Sequence, residues 1–153
     1  PVEDSWRFLA ANFVFWLMAA TDGHAKNFSV FLKRKGAYSL TPLYDVLSAW
    51  PVIGPGKLGT VNYRDANLAM AVRGANAHYR LSEVLPRHWK GVCDRYAQLD
   101  GAWGRLCELC ASVDGAIASV APRIPCGYPE QVWDTITEGI RRHATRFGEL
   151  AGI

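Results

Sequence analysis

Apolar residues recur at helical spacing near the start of the chain and again over much of its second half. Residues 3–20 predict a buried helix with acidic residues near its positive end and an apolar face made of Trp6, Leu9, Phe13, Trp16 and Leu17. The pattern is helical again over 86–98, 101–121 and 128–152, and a proline-containing linker, 122–129, separates the last two. The pattern therefore predicts a mainly α fold.

Between these helical regions the periodicity changes. Residues 28–32 and 37–43 are rich in β-forming side chains, and the basic segment between them ends in Gly36, which predicts a small hairpin. Residues 50–62 contain two prolines and three glycines and predict an irregular loop. We see no internal repeat, so we interpret residues 1–153 as one domain: a helix, a hairpin, a loop and a helical bundle.

Composition narrows the class of protein. Half of the 153 residues are hydrophobic and a fifth are charged, which is typical of a globular domain, and a net charge of +3 is too small to indicate a nucleic-acid binder. The longest apolar run, residues 8–21, is too short to span a bilayer, so we expect no membrane partner. The chain begins at Pro1 rather than Met, which we interpret as a sign of a longer protein.

Four cysteines give little support for a disulfide framework or a zinc site. Cys107 and Cys110 form a single C-x-x-C pair with no second pair at ligand spacing. On a helix they would share one apolar face, so we interpret them as buried free thiols. A reducing cytoplasm fits this cysteine usage.

A compact group of polar residues interrupts the apolar pattern. Asp22 directly follows the first predicted helix, Asn27 precedes the first predicted strand, and Asp45 is expected at the end of the second strand. A hairpin returns the chain to where it began. We therefore expect these three oxygen-bearing side chains to converge at one end of the hairpin.

This set of side chains is the one that phosphoryl transfer requires. A carboxylate orients the attacking hydroxyl and accepts its proton, while hard oxygen ligands hold Mg²⁺ on the phosphates. Protein kinases use Asp-x-x-x-x-Asn and place a second, metal-binding Asp after a short hairpin. A divalent cation would also relieve the repulsion between Asp22 and Asp45.

Each residue of the group also has a structural interpretation. Asp22-Gly is a common turn, Asn27 is an ordinary loop residue before a strand, and Asp45 could cap a short helix. His24 could bond within the turn or contact a phosphate, and Lys26 could neutralise a phosphoryl group or be solvated. Their joint occurrence at kinase spacing favours catalysis, whereas the glycine-containing segment 52–59 is not a Walker A motif and is interpreted as loop.

The match to a known family is longer than this motif. The segments ATDGHAKNFSVF (20–31) and LTPLYDVLSAWPV (40–52) closely resemble the C-terminal part of HipA, the serine/threonine-kinase toxin of bacterial toxin–antitoxin modules. PRHW (86–89) and residues 128–150 are similar to the last helices of that family. The Asp-x-His-x-x-Asn form is also similar to phosphatidylinositol kinases, but the contiguous match makes HipA the better comparison.

The resemblance implies a mainly α, kinase-like C-terminal lobe whose small hairpin carries the catalytic and metal-binding residues. Asp22 would be the catalytic base, and Asn27 and Asp45 would bind Mg²⁺. The ATP site would be lined by His24, Ala25, Lys26 and Asn27 and completed by Tyr44 and Asp45.

The resemblance also implies partners and leaves an alternative. HipA-like kinases phosphorylate glutamyl-tRNA synthetase, which arrests translation and favours dormancy. They are neutralised by a DNA-binding, HipB-like antitoxin, so DNA would be contacted only indirectly. The glycine-rich loop and strand Lys of the N-terminal lobe are not found in this sequence, so that lobe would act in cis or in trans. The alternative is a catalytically incomplete module that docks an antitoxin or an N-terminal subunit; transfer to a lipid or small-molecule hydroxyl is a more distant one.

Overall fold

A computed structural model describes residues 2–55, 59–96 and 99–153. Within these residues, the α-helices are α1 (Val2–Leu17), α2 (Pro86–Arg95), α3 (Ala102–Ala111), α4 (Val113–Val120) and α5 (Glu130–Ala151). The strands are β1 (Val30–Leu32), β2 (Tyr38–Leu40), β3 (Ile53–Gly54), β4 (Val61–Asn62), β5 (Asn67–Arg73) and β6 (Ala77–Arg80). The mainly α class is therefore confirmed, and the strands form three two-stranded sheets in the described part of the chain.

The predicted helices are confirmed with changes at their ends. Helix α1 ends at Leu17 rather than at residue 20, because the chain turns at Ala19, which has a positive φ of 49°. Residues 101–121 form two helices, divided at Ser112, whose hydroxyl donates a hydrogen bond to the carbonyl of Leu109. Helix α2 ends at Arg95, and residues 97–98 of the predicted helix lie outside the described residues.

The predicted hairpin is confirmed as an antiparallel pair of three-residue strands. β1 and β2 pair Val30 with Leu40 and Leu32 with Tyr38, and the turn between them places Lys35 and Gly36 at positive φ. The expectation that Asp45 ends the second strand is wrong: β2 ends at Leu40, and the chain continues irregularly to residue 49. The hairpin therefore lies between the candidate residues in sequence and carries none of Asp22, Asn27 and Asp45 in its strands.

A second hairpin was not predicted. Strands β5 and β6 pair antiparallel, with Leu68 and Val72 buried on one side of β5. The predicted loop 50–62 contains a single turn of 3₁₀ helix at Trp50–Val52 and a two-residue parallel pairing of β3 with β4. Residues 56–58 of that loop lie outside the described residues.

The core is an aromatic cluster between α1, α2, α5 and β5. The ring of Phe13 makes edge contacts with Trp89 and Phe147, at centroid distances of 5.2 and 5.0 Å. Trp16 and Trp50 are also buried, and Gly139 of α5 leaves room for the Trp50 ring, because a Cβ there would overlap it. None of the described helices is long and apolar enough to cross a bilayer.

The cysteines are free thiols. Cys110 is buried as predicted and its thiol contacts the carbonyl of Ala144 at 3.3 Å, whereas Cys107 is half-buried. Burial raises the pKa of the Cys93 and Cys110 thiols to about 11, so both are protonated at neutral pH.

Candidate functional site

The turn that carries Asp22 is anchored by the end of α1. The carbonyls of Leu17 and Met18 would lack partners at a free helix end, and the next carbonyl, that of Ala19, already accepts from the N–H of Thr21 at 2.9 Å. They accept hydrogen bonds from the segment 48–50: Trp50 Nε1 to Leu17 at 3.0 Å, Ser48 Oγ to Met18 at 2.7 Å, and Ala49 N to Ala19 at 3.0 Å. This capping brings the chain that follows Asp45 back to the turn that contains Asp22.

The same turn packs closely on α1 through Gly23. This glycine is buried, and a Cβ at its position would overlap the ring of Phe15. Phe15 in turn contacts Phe28, the residue that follows the 3₁₀ turn Ala25–Asn27. A larger residue than glycine would therefore push the Asp22 turn away from its helix.

Asn27 is the central polar residue of the group. Asn27 is only 3% exposed, and its Oδ1 accepts a hydrogen bond of 3.1 Å from the backbone N–H of His24. Since that bond identifies the oxygen, the amide nitrogen faces Asp45, to whose Oδ2 it donates at 2.8 Å. The predicted convergence of Asn27 and Asp45 is therefore observed, across 18 positions of sequence.

Asp45 lies on an exposed, irregular stretch in an unusual backbone conformation. Its φ is 56°, in the left-handed region, which Asp and Asn tolerate better than most residues. The hydrogen bond from Asn27 holds one carboxylate oxygen, and the other oxygen has no hydrogen-bond partner within the described residues. The carboxylate is thus oriented but open to solvent on one side.

Asp22 and His24 lie at the open edge of the group. The Asp22 side chain is 83% exposed, and its Oδ1 is 3.8 Å from His24 Nε2. The other ring nitrogen of His24, Nδ1, is shielded from solvent and has no hydrogen-bond partner among the described residues. An unpartnered buried nitrogen is uncommon in proteins.

Tyr44 fastens the segment before Asp45 to the base of the hairpin. Its hydroxyl donates to the carbonyl of Lys26 at 3.0 Å, so the Ser29 hydroxyl, 2.8 Å away, must be the donor in the second bond. The Tyr44 hydroxyl is therefore occupied by protein groups, and its exposed ring is the part free to meet a ligand. Ala25 and Lys26 are exposed on the same 3₁₀ turn.

Asp22, His24, Asn27 and Asp45 thus form one continuous series of contacts. Within the described residues no group of three or more His, Cys, Asp or Glu side chains could hold a metal by itself. A cation here would have the Asp45 carboxylate and the Asn27 amide from the protein and would need further oxygens from a ligand or water. Mg²⁺ is bound in that manner, through one or two carboxylates plus phosphate oxygens and waters, so the donor set fits Mg²⁺ on a nucleotide.

A buried polar network behind this group was not anticipated. His143 of α5 is 1% exposed; its Nδ1 lies 2.9 Å from the carbonyl oxygen of Trp16, and its Nε2 lies 2.8 Å from the Tyr63 hydroxyl. Because a carbonyl can only accept, Nδ1 carries the proton and the Tyr63 hydroxyl donates to Nε2. Burial lowers the pKa of His143 to about 4, so the ring is neutral at pH 7.

A lone histidine in a helical pattern gives no sequence signal for such a role. His143 nevertheless connects α5 to the last turn of α1 through the carbonyl of Trp16, six residues before Asp22. The capping of α1 therefore comes from two directions: the segment 48–50 and helix α5.

A family model described as HipA-like C-terminal domain matches residues 1–121. The matched region contains α1, all the candidate residues, both antiparallel hairpins and helices α2 to α4. The resemblance identified from the sequence is thereby confirmed over these residues. Helix α5 lies beyond the match, so the similarity of residues 128–150 to the last helices of the family stays a prediction.

Proposed function

The chain belongs to the HipA-like C-terminal domain family, and from that membership and the site geometry we propose that it is the catalytic half of a serine/threonine protein kinase of the HipA toxin type. The reaction would depend on ATP and Mg²⁺. The observation that carries this proposal is the 2.8 Å hydrogen bond between Asn27 and Asp45, which joins the two halves of a kinase-spaced Asp-x-x-x-x-Asn…Asp motif beside the Asp22 turn.

Asp22 is the proposed catalytic base. Its exposed carboxylate lies at the rim of the group, where a serine or threonine hydroxyl of a protein substrate has access to it. It would orient that hydroxyl and accept its proton as the oxygen attacks. The packing of Gly23 on Phe15 and the capping of α1 fix the backbone from which Asp22 projects.

Asp45 and Asn27 are the proposed metal ligands. Asp45 would offer the carboxylate oxygen that lacks a protein partner. Asn27 holds that carboxylate through its amide nitrogen and would offer the second lone pair of its Oδ1, which accepts one bond from the His24 N–H. Bound Mg-ATP would supply the transferable phosphoryl group, and its Mg²⁺ would neutralise charge on the phosphates.

The nucleotide phosphates are proposed to lie over the 3₁₀ turn that follows Asp22. The partly exposed ring of His24 and the exposed Lys26 are the groups that would contact them, beside the backbone of Ala25. The exposed ring of Tyr44 would border the nucleotide next to Asp45.

The partners follow from the resemblance and from exposed apolar surface. Leu32 of the hairpin is 86% exposed and Leu47, after Asp45, is 71% exposed, and Phe31 and Leu43 are exposed as well. We propose that an N-terminal lobe, in cis or in trans, covers them. By the same resemblance, the substrate would be glutamyl-tRNA synthetase and the inhibitor a HipB-like antitoxin that bridges to DNA.

The exposed apolar residues also favour a second candidate function. A catalytically incomplete module would use the same surface to dock an antitoxin or an N-terminal subunit without chemistry. The two candidates differ in whether Asp22 matters: a docking module needs the apolar residues, and a kinase needs the carboxylate in addition.

The test is Asp22→Asn in the protein joined to its N-terminal lobe. We expect phosphoryl transfer to a serine-containing substrate to fall by about 10²–10⁴, the contribution of a positioned general base, while Mg-ATP binding by calorimetry is retained. Asp134→Asn, an exposed carboxylate on α5, is the matched control and should leave transfer unchanged. Equal transfer by wild type and Asp22→Asn would remove Asp22 as the base, and no transfer by wild type would favour the docking module.

A further inference from the structure

A pocket outside the candidate site lies between α5 and the residues Ile53, Gly54 and Tyr63. It has a volume of about 390 Å³, within the range of small-ligand sites, and is lined by Ile53, Gly54, Tyr63, Arg142, His143 and Arg146. None of these residues belongs to the candidate kinase site. Nothing in the proposed phosphoryl transfer uses the two arginines.

The pocket has an excess of positive charge. Within the part of the chain that the structure describes, neither Arg142 nor Arg146 has a carboxylate oxygen within 4.0 Å. The adjacent Arg141 differs, because its Nε donates to Asp114 at 2.7 Å. Two arginines thus line one pocket without a neutralising partner among the described residues, next to a third arginine that has one.

The other polar groups of the lining add no negative charge. His143 is neutral, and the proton of the Tyr63 hydroxyl is directed to His143 Nε2 at 2.8 Å, a closer acceptor than the Leu81 carbonyl at 3.4 Å. Burial also raises the pKa of Tyr63, so the phenol stays protonated even beside the two arginines. Among the described lining residues, the charge at neutral pH is therefore that of the two guanidinium groups.

Both guanidinium groups are held in position. Arg146 donates to the Tyr63 hydroxyl at 3.3 Å and to the carbonyl of Ser82 at 3.1 Å. Arg142 lies over the ring of Trp50, with its Cζ 4.8 Å from the ring centroid, and makes no hydrogen bond to the described residues. A stacked arginine keeps its planar set of donors free for a ligand. Because the stacking already orients the guanidinium, less side-chain entropy is lost on binding.

From this arrangement we propose that the Arg142–Arg146 pocket binds a phosphate monoester group. Two guanidinium groups match the charge of about −1.5 to −2 that such a group carries at pH 7 and can donate to all three of its terminal oxygens. A carboxylate has one charge and two oxygens and would satisfy one guanidinium fork but not both. The group can be that of a phosphorylated serine or threonine, or free phosphate.

The test is calorimetric titration of the chain at pH 7.5 with three probes: a short phosphoserine peptide, the same peptide with glutamate at that position, and inorganic phosphate. We expect saturable binding of the phosphate probes. Arg142→Gln should weaken it by about ten- to a hundredfold, the effect of losing charge-assisted hydrogen bonds. Arg142 is exposed, so this variant should fold as the wild type does, which circular dichroism checks.

Arg141→Gln is the matched control, because it removes the same charge one residue away on the same helix. It should change affinity by less than about twofold, since surface charges act weakly at ordinary salt. Arg146→Lys keeps the charge but loses the fork and should weaken binding as well. Tighter binding of the phosphopeptide than of inorganic phosphate assigns the site to a phosphorylated side chain, and equal binding assigns it to free phosphate.

Three results would overturn the proposal: no saturable binding of either phosphate probe, equal binding of the glutamate peptide, or an equal loss in Arg141→Gln and Arg142→Gln. The proposal is independent of the kinase assignment. Asp22→Asn should bind the phosphate probes as the wild type does, so either hypothesis can fail alone.

Discussion

The aromatic core and the site segment of this molecule are stabilised by different interactions. The aromatic core buries Phe13, Trp16, Trp50, Trp89 and Phe147 and is stabilised by apolar contact. The site segment, residues 21–47, buries only Gly23 and Asn27 and leaves most of its apolar side chains exposed. Its position depends on single hydrogen bonds, such as those from Asn27 and Tyr44, and on the capped end of α1.

The difference means that the site segment is attached to the packed core and is not part of it. Regions with few buried contacts open at a lower free energy than the core that supports them. A covering partner for the exposed hairpin would therefore order the site segment more than the helices. The same substitution should also have very different effects in the two regions.

The largest expected effect comes from Phe13→Ala. Phe13 is fully buried against Trp89 and Phe147, and its loss should lower the free energy of unfolding by about 3–5 kcal/mol. Phe31→Ala is the matched control in the site segment; Phe31 is 56% exposed, and we expect a change within about 0.5 kcal/mol. Urea denaturation of the two variants measures both. Similar losses would mean that the site segment is part of the same cooperative core.

The core was largely predictable because helical periodicity is a local property. The spacing of Phe13, Trp16 and Leu17 indicated both α1 and the side of it that is buried. The β5–β6 hairpin was missed although Leu68, Met70 and Val72 alternate and Gly74 and Asn76 lie in the short connection between the strands. Parallel pairing of β3 with β4 has no local signature and needs the rest of the fold.

The core also contains a buried histidine, His143, whose contribution to the free energy of unfolding depends on pH. His143 has a pKa of about 4 in the folded protein, against 6.5 for an unperturbed histidine, and it is faced by Arg142, Arg146 and the Tyr63 hydroxyl. Between these two values the unfolded chain binds a proton that the folded protein does not. The free energy of unfolding should therefore be at its full value above about pH 6.5 and fall by roughly 3 kcal/mol as the pH decreases to 4.

His143→Gln is the variant that isolates this effect. Glutamine does not titrate, so the part of the pH dependence between 6.5 and 4 that belongs to His143 should disappear, while stability at pH 7.5 falls because the bonds to Trp16 and Tyr63 are altered. Urea midpoints at pH 7.5, 6, 5 and 4.5 measure the slope in both proteins. Identical slopes would show that His143 does not titrate differently in the folded state.

The candidate site could be predicted from the sequence only in part, because only some of its contacts follow from local patterns. The convergence of Asn27 with Asp45 followed from a hairpin between two polar residues, and it is found even though Asp45 lies five residues beyond the strand. The contact between His143 and Trp16 joins residues 127 positions apart. No spacing within a helix reveals such a partner, so the contact of His143 with the end of α1 could not be predicted from the sequence.

The smallest expected effect tests how the site segment is attached. Tyr44→Phe removes the hydroxyl that bonds the Lys26 carbonyl and Ser29, and since the site is exposed, the free energy of unfolding should fall by no more than about 0.5–1 kcal/mol. Hydrogen exchange of the amides of residues 24–29 should become faster, while the amides of α5 keep their rates. Tyr79→Phe, an exposed tyrosine on β6, is the control and should leave residues 24–29 unchanged. If exchange is faster across the whole molecule instead, the Tyr44 hydroxyl stabilises the core, and the distinction between the packed core and an attached site segment is wrong.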